Sequence, residues 1–239
     1  MHKITKQSSN RQKAIADLCI IAFYYLLRAG EYTHTGKDNT RTEKFTLKDI
    51  TFFKGNKIID FRTNKTELHT ADKATLRIRN QKNGNKSQCI THWSNGKSDD
   101  PIKVLARRVR AVWDETHDID APICKYLNHQ RYLKDIRSTS ITETIKSAAK
   151  ELHLEQFGIP PSKVSSHSLR AGGAMALHLN GARDHSIQKM GRWSSGTFMT
   201  YIHAQISCLS KGLSKLMSTP HTFINVARSP QTPLRRRTK

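Results

Sequence analysis

The chain has 239 residues, enough to bury a sizeable core as one domain and too few for several. Its 41 Lys and Arg against 19 Asp and Glu give a formal charge of +22, so its field attracts a polyanion, with nucleic acid the natural partner. No apolar run approaches the roughly 20 residues of a membrane span, the N-terminus lacks the apolar core of a signal peptide, and no C-x-x-C pairing signals a zinc ribbon or disulfide framework.

From Arg11 onward, Ala14, Ile15, Leu18, Cys19, Ile21, Ala22, Tyr25 and Leu26 recur at helical spacing, predicting a largely buried helix that ends near Gly30. Its last turn carries Arg28, whose charge complements the carbonyl end of a helix. Residues 46–61 read as a hairpin, with Ile50, Phe52 and Phe53 on one strand, Lys54-Gly55-Asn56 at the turn, and Ile58, Ile59 and Phe61 on the return. In a second hairpin Leu76 and Ile78 alternate with Arg77 and Arg79. Asn83-Gly84 turns the chain, Lys82 sits beside that turn, and Cys89-Ile90-Thr91 begins the return.

After Asp99-Asp100-Pro101, a cap and first-turn proline, Ile102, Leu105, Ala106, Val109 and Val112 form one face of an amphipathic helix. Its other face carries Arg107, Arg108 and Arg110. Another helix is expected over residues 140–152, and Pro160-Pro161 delivers the chain to a helix that begins near His167 and closes at Asn180-Gly181. Within it, Ala171-Gly172-Gly173-Ala174 permits close packing at a cost in helix propensity. Asp184 is expected to cap a short helix bearing Ile187 and Met190 and stopped by Gly191, and the next helix holds Phe198, Tyr201 and Ile202. Ile206, Leu209, Leu213, Leu216 and Met217 then line an amphipathic stripe, and the tail over residues 218–239, with Arg235-Arg236-Arg237, reads as basic and disordered. The expected fold class is α+β, mainly α-helical, with a small antiparallel sheet.

Chemistry concentrates in Ser166-His167-Ser168-Leu169-Arg170, then Gly191-Arg192-Trp193-Ser194-Ser195, then Tyr201. His167 and Arg170, three apart, share a face of a helix starting near Ser166, close to N–H groups that attract anions, so the pair suits one phosphate. A solvated helix face shows the same spacing, and only the rest of the chain separates the two readings. The positive charge is spread over Lys73, Arg77, Arg79, Lys82, Lys86, Arg107, Arg108 and Arg110, as a basic surface on a folded domain requires. Cys19, Cys89, Cys124 and Cys208 read as reduced, buried thiols, and the 12 histidines show no metal-binding spacing.

Arg28 at a helix end, Lys82 by a hairpin turn, His167-x-x-Arg170, Gly191-Arg192-Trp193 and Tyr201 occur in one order, and with Leu27-Arg28-Ala29-Gly30-Glu31 and the Ser166–Ala174 wording they resemble the catalytic domain of a tyrosine recombinase. The likeness spans about residues 12–217, and Gly191-Arg192-Trp193-Ser194-Ser195 is most similar to recombinases of eukaryotic DIRS- or crypton-type mobile elements. It implies that Tyr201 attacks a DNA phosphodiester to give a 3′-phosphotyrosyl bond that a 5′-hydroxyl later reverses. Arg28 and Arg170 would clamp the non-bridging oxygens, Lys82 would protonate the leaving 5′-oxygen, and His167 would assist in acid–base work, with no metal or cofactor. Double-stranded DNA is the implied partner, with self-association on it into a synaptic tetramer and no membrane. The location is expected to be soluble and intracellular, nuclear in a eukaryotic host.

Two positions stay open. Trp193 is the chemical choice and Arg192 the spacing choice for the family's His/Trp position, and Lys86 rivals Lys82. Residues 1–217 are expected to form the catalytic domain without the helical clamp domain that precedes it in the family. Two other function classes remain: an inactive or domesticated DNA-binding remnant, and an RNA-binding protein, disfavoured because the aromatics are scattered instead of clustered on a strand face.

Overall fold

The computed structural model describes residues 9–36, 43–80, 86–194 and 199. Helix α1 (Asn10–Tyr24) opens with a reciprocal cap: the Gln12 N–H donates to Ser9 Oγ at 3.3 Å and the Ser9 N–H to Gln12 Oε1 at 2.9 Å. Ala14, Ile15, Leu18, Cys19, Ile21 and Ala22 are all buried, so α1 is the central rod of the core. It ends sooner than its apolar pattern suggested. Leu26 takes a left-handed φ of +48°, and the Leu27 N–H returns to Ala22 O at 3.0 Å, a Schellman-type stop built on leucine where glycine is usual. Arg28 is therefore not in the last turn of α1. It is the residue preceding a separate short helix, α2 (Ala29–Tyr32), so complementing the α1 dipole does not explain it.

Both hairpins form, joined into one antiparallel sheet: β1 (Ile50–Lys54), β2 (Lys57–Ile59), β3 (Lys73–Asn80) and β4 (Lys86–Trp93), in the order β2-β1-β3-β4. Its limits differ slightly from the expected ones. A turn of 3-10 helix occupies Leu47–Asp49, Phe61 lies past β2, and β4 begins at Lys86 instead of Cys89. The Asn83-Gly84 turn and Lys82 lie outside the described residues. Phe52, Ile59, Ala74, Leu76, Ile78 and Ile90 cover the inner face, which rests on the end of α1. There His92 Nε2 donates to Tyr24 O at 2.8 Å and Tyr25 Oη to Ala74 O at 3.5 Å.

Asp100 caps α3 (Pro101–Thr116) by accepting from the Ile102 and Lys103 N–H groups at 2.8 and 3.2 Å, with Pro101 in the first turn as expected. Arg108 departs from the basic face assigned to it: it is buried, its Nε donates to Ile123 O at 3.1 Å, and its Nη2 donates to Lys125 O. Those carbonyls need donors more than the surface needs another charge, and burial lowers the Arg108 pKa to about 10. A two-stranded hairpin, β5 (Lys125–Leu127) with β6 (Leu133–Asp135), follows; strands of three residues are too short to show alternation in a sequence.

Helices α4 (Ser138–Glu151), α5 (Ser166–Leu179) and α6 (Asp184–Gly191) complete the described chain. Asp184 is a first-turn residue of α6 instead of its cap. The helix expected around Tyr201 and the stripe from Ile206 to Met217 lie outside the described residues. The architecture is a mixed α and β fold, about half helical, with small antiparallel sheets. Among the described residues no helix is long and apolar enough to cross a membrane. Cys19 and Cys124 are buried, and burial pushes both thiols up to about 12, whereas Cys89 is exposed on the outward side of β4.

The close approach expected of the Gly172-Gly173 pair is made by Gly173 alone, where α5 crosses the end of α1. A Cβ on Gly173 would sit 2.4 Å from Phe23 O and 2.5 Å from a Leu26 methyl, whereas one on Gly172 meets nothing nearer than 3.7 Å. Gly173→Ala is expected to destabilise by about 1–3 kcal/mol through overpacking. Gly172→Ala is expected to stabilise by up to about 1 kcal/mol through helix propensity. Urea unfolding of the two variants checks the contrast; equal effects would contradict this packing.

Candidate active site

Glu31, at the third position of α2, is fully buried at 0% exposure, and an isolated carboxylate there would be prohibitively costly. It is paired several times over. The Arg28 N–H donates to Oε2 at 2.7 Å and Arg28 Nη1 to Oε1 at 3.3 Å. Arg192 closes a two-pronged contact, Nη1 to Oε1 at 2.7 Å and Nη2 to Oε2 at 3.0 Å. Burial alone would raise the Glu31 pKa. The charge and hydrogen bonds of Arg192, with those of Arg28, reverse that and hold the carboxyl below its ordinary range.

Backbone shape puts Arg192 there. It follows α6 with a left-handed φ of +59°, and the Trp193 N–H closes back to Gln188 O at 3.1 Å. Gly191 permits the fold-back, since a Cβ at that position would lie 1.5 Å from the Trp193 ring. Across the cluster, the left-handed turn at Leu26 aims its carbonyl at two guanidiniums: Arg192 Nη2 donates to Leu26 O at 2.9 Å, and Arg170 Nη1 donates to the same oxygen. Arg170 also donates through Nη2 to Gly191 O, and its guanidinium lies 4.3 Å over the Trp193 ring. Arg28 Nη2 reaches Arg192 O at 3.4 Å. Leu26 and Arg192 are both non-glycine residues in a conformation that costs energy, and such strain concentrates where a site must be held in shape.

The result is two guanidiniums, Arg28 and Arg192, on one carboxylate and a third, Arg170, sharing the Leu26 carbonyl with Arg192, an excess of two positive charges in a mostly buried space. An anion with two negative oxygens, such as a phosphodiester passing to a phosphorane, suits that excess. Arg28 forms its open edge, with 18% of the side chain exposed against 0% for Arg192.

Of the site residues expected from the sequence, Arg28, Arg170 and Trp193 come together here. His167 lies in the first turn of α5, one turn ahead of Arg170, but exposed where Arg170 is buried. Lys82 and Tyr201 lie outside the described residues, and the rival Lys86 is the first residue of β4. The choice at positions 192 and 193 has a geometric counterpart: Arg192 turns inward to Glu31, and Trp193 lies beneath Arg170. Glu31 carried no role in the sequence reading, although a Glu three residues after Arg28 is the spacing of a capping box. Among the described residues no group of three or more His, Cys, Asp or Glu could hold a metal ion.

No protein-family model matches the chain, and no curated protein matches it either.

Glu31→Gln keeps the shape but leaves Arg192 without its counter-charge, and we expect a loss of about 3–5 kcal/mol in unfolding free energy at neutral pH. The pH dependence has a definite sign. Because folding depresses the Glu31 pKa, its stabilisation is fully present above the unfolded-state value of about 4.3 and disappears as pH falls through the folded value. The gap in stability between wild type and Glu31→Gln should be constant above about pH 5 and narrow below pH 4. Denaturant titrations across that range check this; a gap that widens in acid would contradict it.

Proposed function

We propose that this chain cleaves and rejoins DNA as a tyrosine recombinase. The observation that carries the reading is the convergence of Arg28, Arg170 and Trp193, each picked from the sequence for this chemistry, on one cluster with excess positive charge. In this scheme the Tyr201 oxygen attacks phosphorus, the bond from phosphorus to the 5′-oxygen breaks, and Lys82 gives that oxygen its proton. The product is a 3′-phosphotyrosyl bond and a 5′-hydroxyl, which can run the step backwards on a new strand. A phenol with a pKa near 10 is a poor nucleophile, so the positive field of the arginines has two tasks: favouring the phenolate and stabilising charge on the non-bridging oxygens. Arg170, anchored on two carbonyls and an indole, would be oriented before substrate arrives, which spares reorganisation during the reaction.

The chain's charge supports a nucleic-acid partner. A groove where α1 and α4 begin is lined by Arg11, His34, Lys125, His129, Lys134 and Arg137, with Asp135 as its acid. One observation favours the second reading, a DNA-binding remnant without catalysis: the guanidiniums of Arg170 and Arg192 are buried and donate to Leu26 O, Gly191 O and Glu31, as purely structural arginines do.

Nicked suicide DNA separates the two. Wild type is expected to form a covalent adduct, Tyr201→Phe to form none while retaining duplex affinity, and Arg28→Ala to slow adduct formation about a hundred- to a thousandfold. Duplex binding should weaken steeply with salt, with a log–log slope of several units. Salt-steep binding with no adduct from wild type would select the remnant; a flat salt response would exclude both.

A further inference from the structure

Sequence order scatters the aromatic residues, but strand register gathers some of them. On the outward face of the sheet, Phe53 of β1 stands opposite Ile58 of β2 and Lys73 of β3, and Lys73 stands opposite Trp93 of β4. One row therefore crosses all four strands as Ile58, Phe53, Lys73 and Trp93. Its two ends, Ile58 and Trp93, are each 61% exposed. The Lys73 ammonium lies between the two rings, 4.4 Å from the Phe53 centroid and 4.9 Å from that of Trp93. The neighbouring row is Thr51, Thr75 and Thr91, with the Thr75 and Thr91 hydroxyls 2.8 Å apart, and beyond it Arg77 faces Cys89.

From this face we infer a platform for single-stranded nucleic acid, on which an unpaired base stacks on Trp93 while Lys73 and Arg77 attract its phosphates. Isolated exposed apolar residues need no explanation, but an aromatic–cation–aromatic row on a strongly basic chain does. Side chains two residues apart on β3 are about 6.6–6.8 Å apart, so Lys73, Thr75 and Arg77 form a polar track beside the rings. Arg79 is held by Glu43 and hydrogen-bonded to Asp49, whereas Arg77 lies at a looser 3.8 Å from Asp49 with half of its side chain exposed, so Lys73 and Arg77 are the cations the face presents. A second copy of the chain fits poorly, because two faces of like charge repel, whereas a polynucleotide offers both the π-faces and the opposite charge. A duplex fits poorly too, since its bases are stacked on one another and only unpaired ones can lie flat on an indole. The site is separate from the arginine cluster: His92, next to Trp93 in β4, points through the other face of the sheet to Tyr24 O. The inference does not rest on recombinase chemistry.

The test is fluorescence anisotropy of the full chain with labelled oligothymidylate of about 12 nucleotides, an abasic strand of equal length, and a duplex. Trp93→Ala is expected to weaken oligothymidylate binding about five- to a hundredfold and to change duplex affinity less than twofold, with Trp93→Phe between wild type and Trp93→Ala. Wild type should bind the abasic strand about as weakly as Trp93→Ala binds oligothymidylate. That comparison uses no variant, so it decides the question even if Trp93→Ala fails to fold. Equal affinity of wild type for abasic and base-bearing strands would overturn the platform. So would unchanged oligothymidylate binding by a folded Trp93→Ala, or Trp93-dependent self-association without a Trp93 effect on the oligonucleotide.

Discussion

A single buried carboxylate, Glu31, pairs with Arg28 and Arg192, and a third guanidinium, Arg170, is held beside them by the Leu26 carbonyl that it shares with Arg192. Two unit charges 4 Å apart interact by about 4 kcal/mol at the effective dielectric of a partly buried protein site, a large fraction of the total stability of a domain. Placing Arg28, Arg170 and Arg192 together therefore requires compensation, supplied by Glu31 and by the carbonyl oxygens of Leu26, Gly191 and Arg192. The compensation is partial, and the cluster keeps an excess of positive charge, which is what the proposed phosphate contact would use. Stability and the local field here share one cause: the interactions that tie the end of α6 to the turn after α1 also set the positive field of the cluster.

Several local features exist to make that contact possible. The left-handed turn at Leu26 ends α1 early and presents a carbonyl to two guanidiniums; a continued helix would have spent it on an N–H four residues later. Gly173 lets α5 approach this turn closely enough for Arg170, one turn away, to reach it. Gly191 lets Trp193 fold beneath Arg170 while Arg192 points the other way. The sheet closes the arrangement from the side through His92 and Tyr25, so its inward face helps fix the cluster while the Phe53, Lys73 and Trp93 row lies on its outward face.

Much of this was legible in the sequence because it follows from periodicity and local chemistry. The helix capped by Asp100, the helix starting near Ser166, the two longer hairpins and the Gly172-Gly173 run all declare themselves within a few residues. Arg28, Arg170 and Trp193 could be picked because their residue types and order resemble a family's motifs. What escaped depends on contacts distant in sequence. The apolar pattern of α1 runs on through Tyr25 and Leu26, so nothing in it signals a left-handed stop. Arg108 looks like a surface charge until the carbonyls of Ile123 and Lys125 are found beside it. Phe53 and Trp93 are 40 positions apart in the sequence, and only strand register puts them in one row.

The central proposal, that this arginine cluster serves a tyrosine that bonds to DNA, is tested most directly by locating the bond. Wild-type protein trapped on nicked suicide DNA would be digested with nuclease and protease, and the peptide that keeps a nucleotide would be sequenced by mass spectrometry. The account predicts one modified residue, Tyr201, carrying a 3′-linked phosphate. A nucleotide on any other side chain would contradict it.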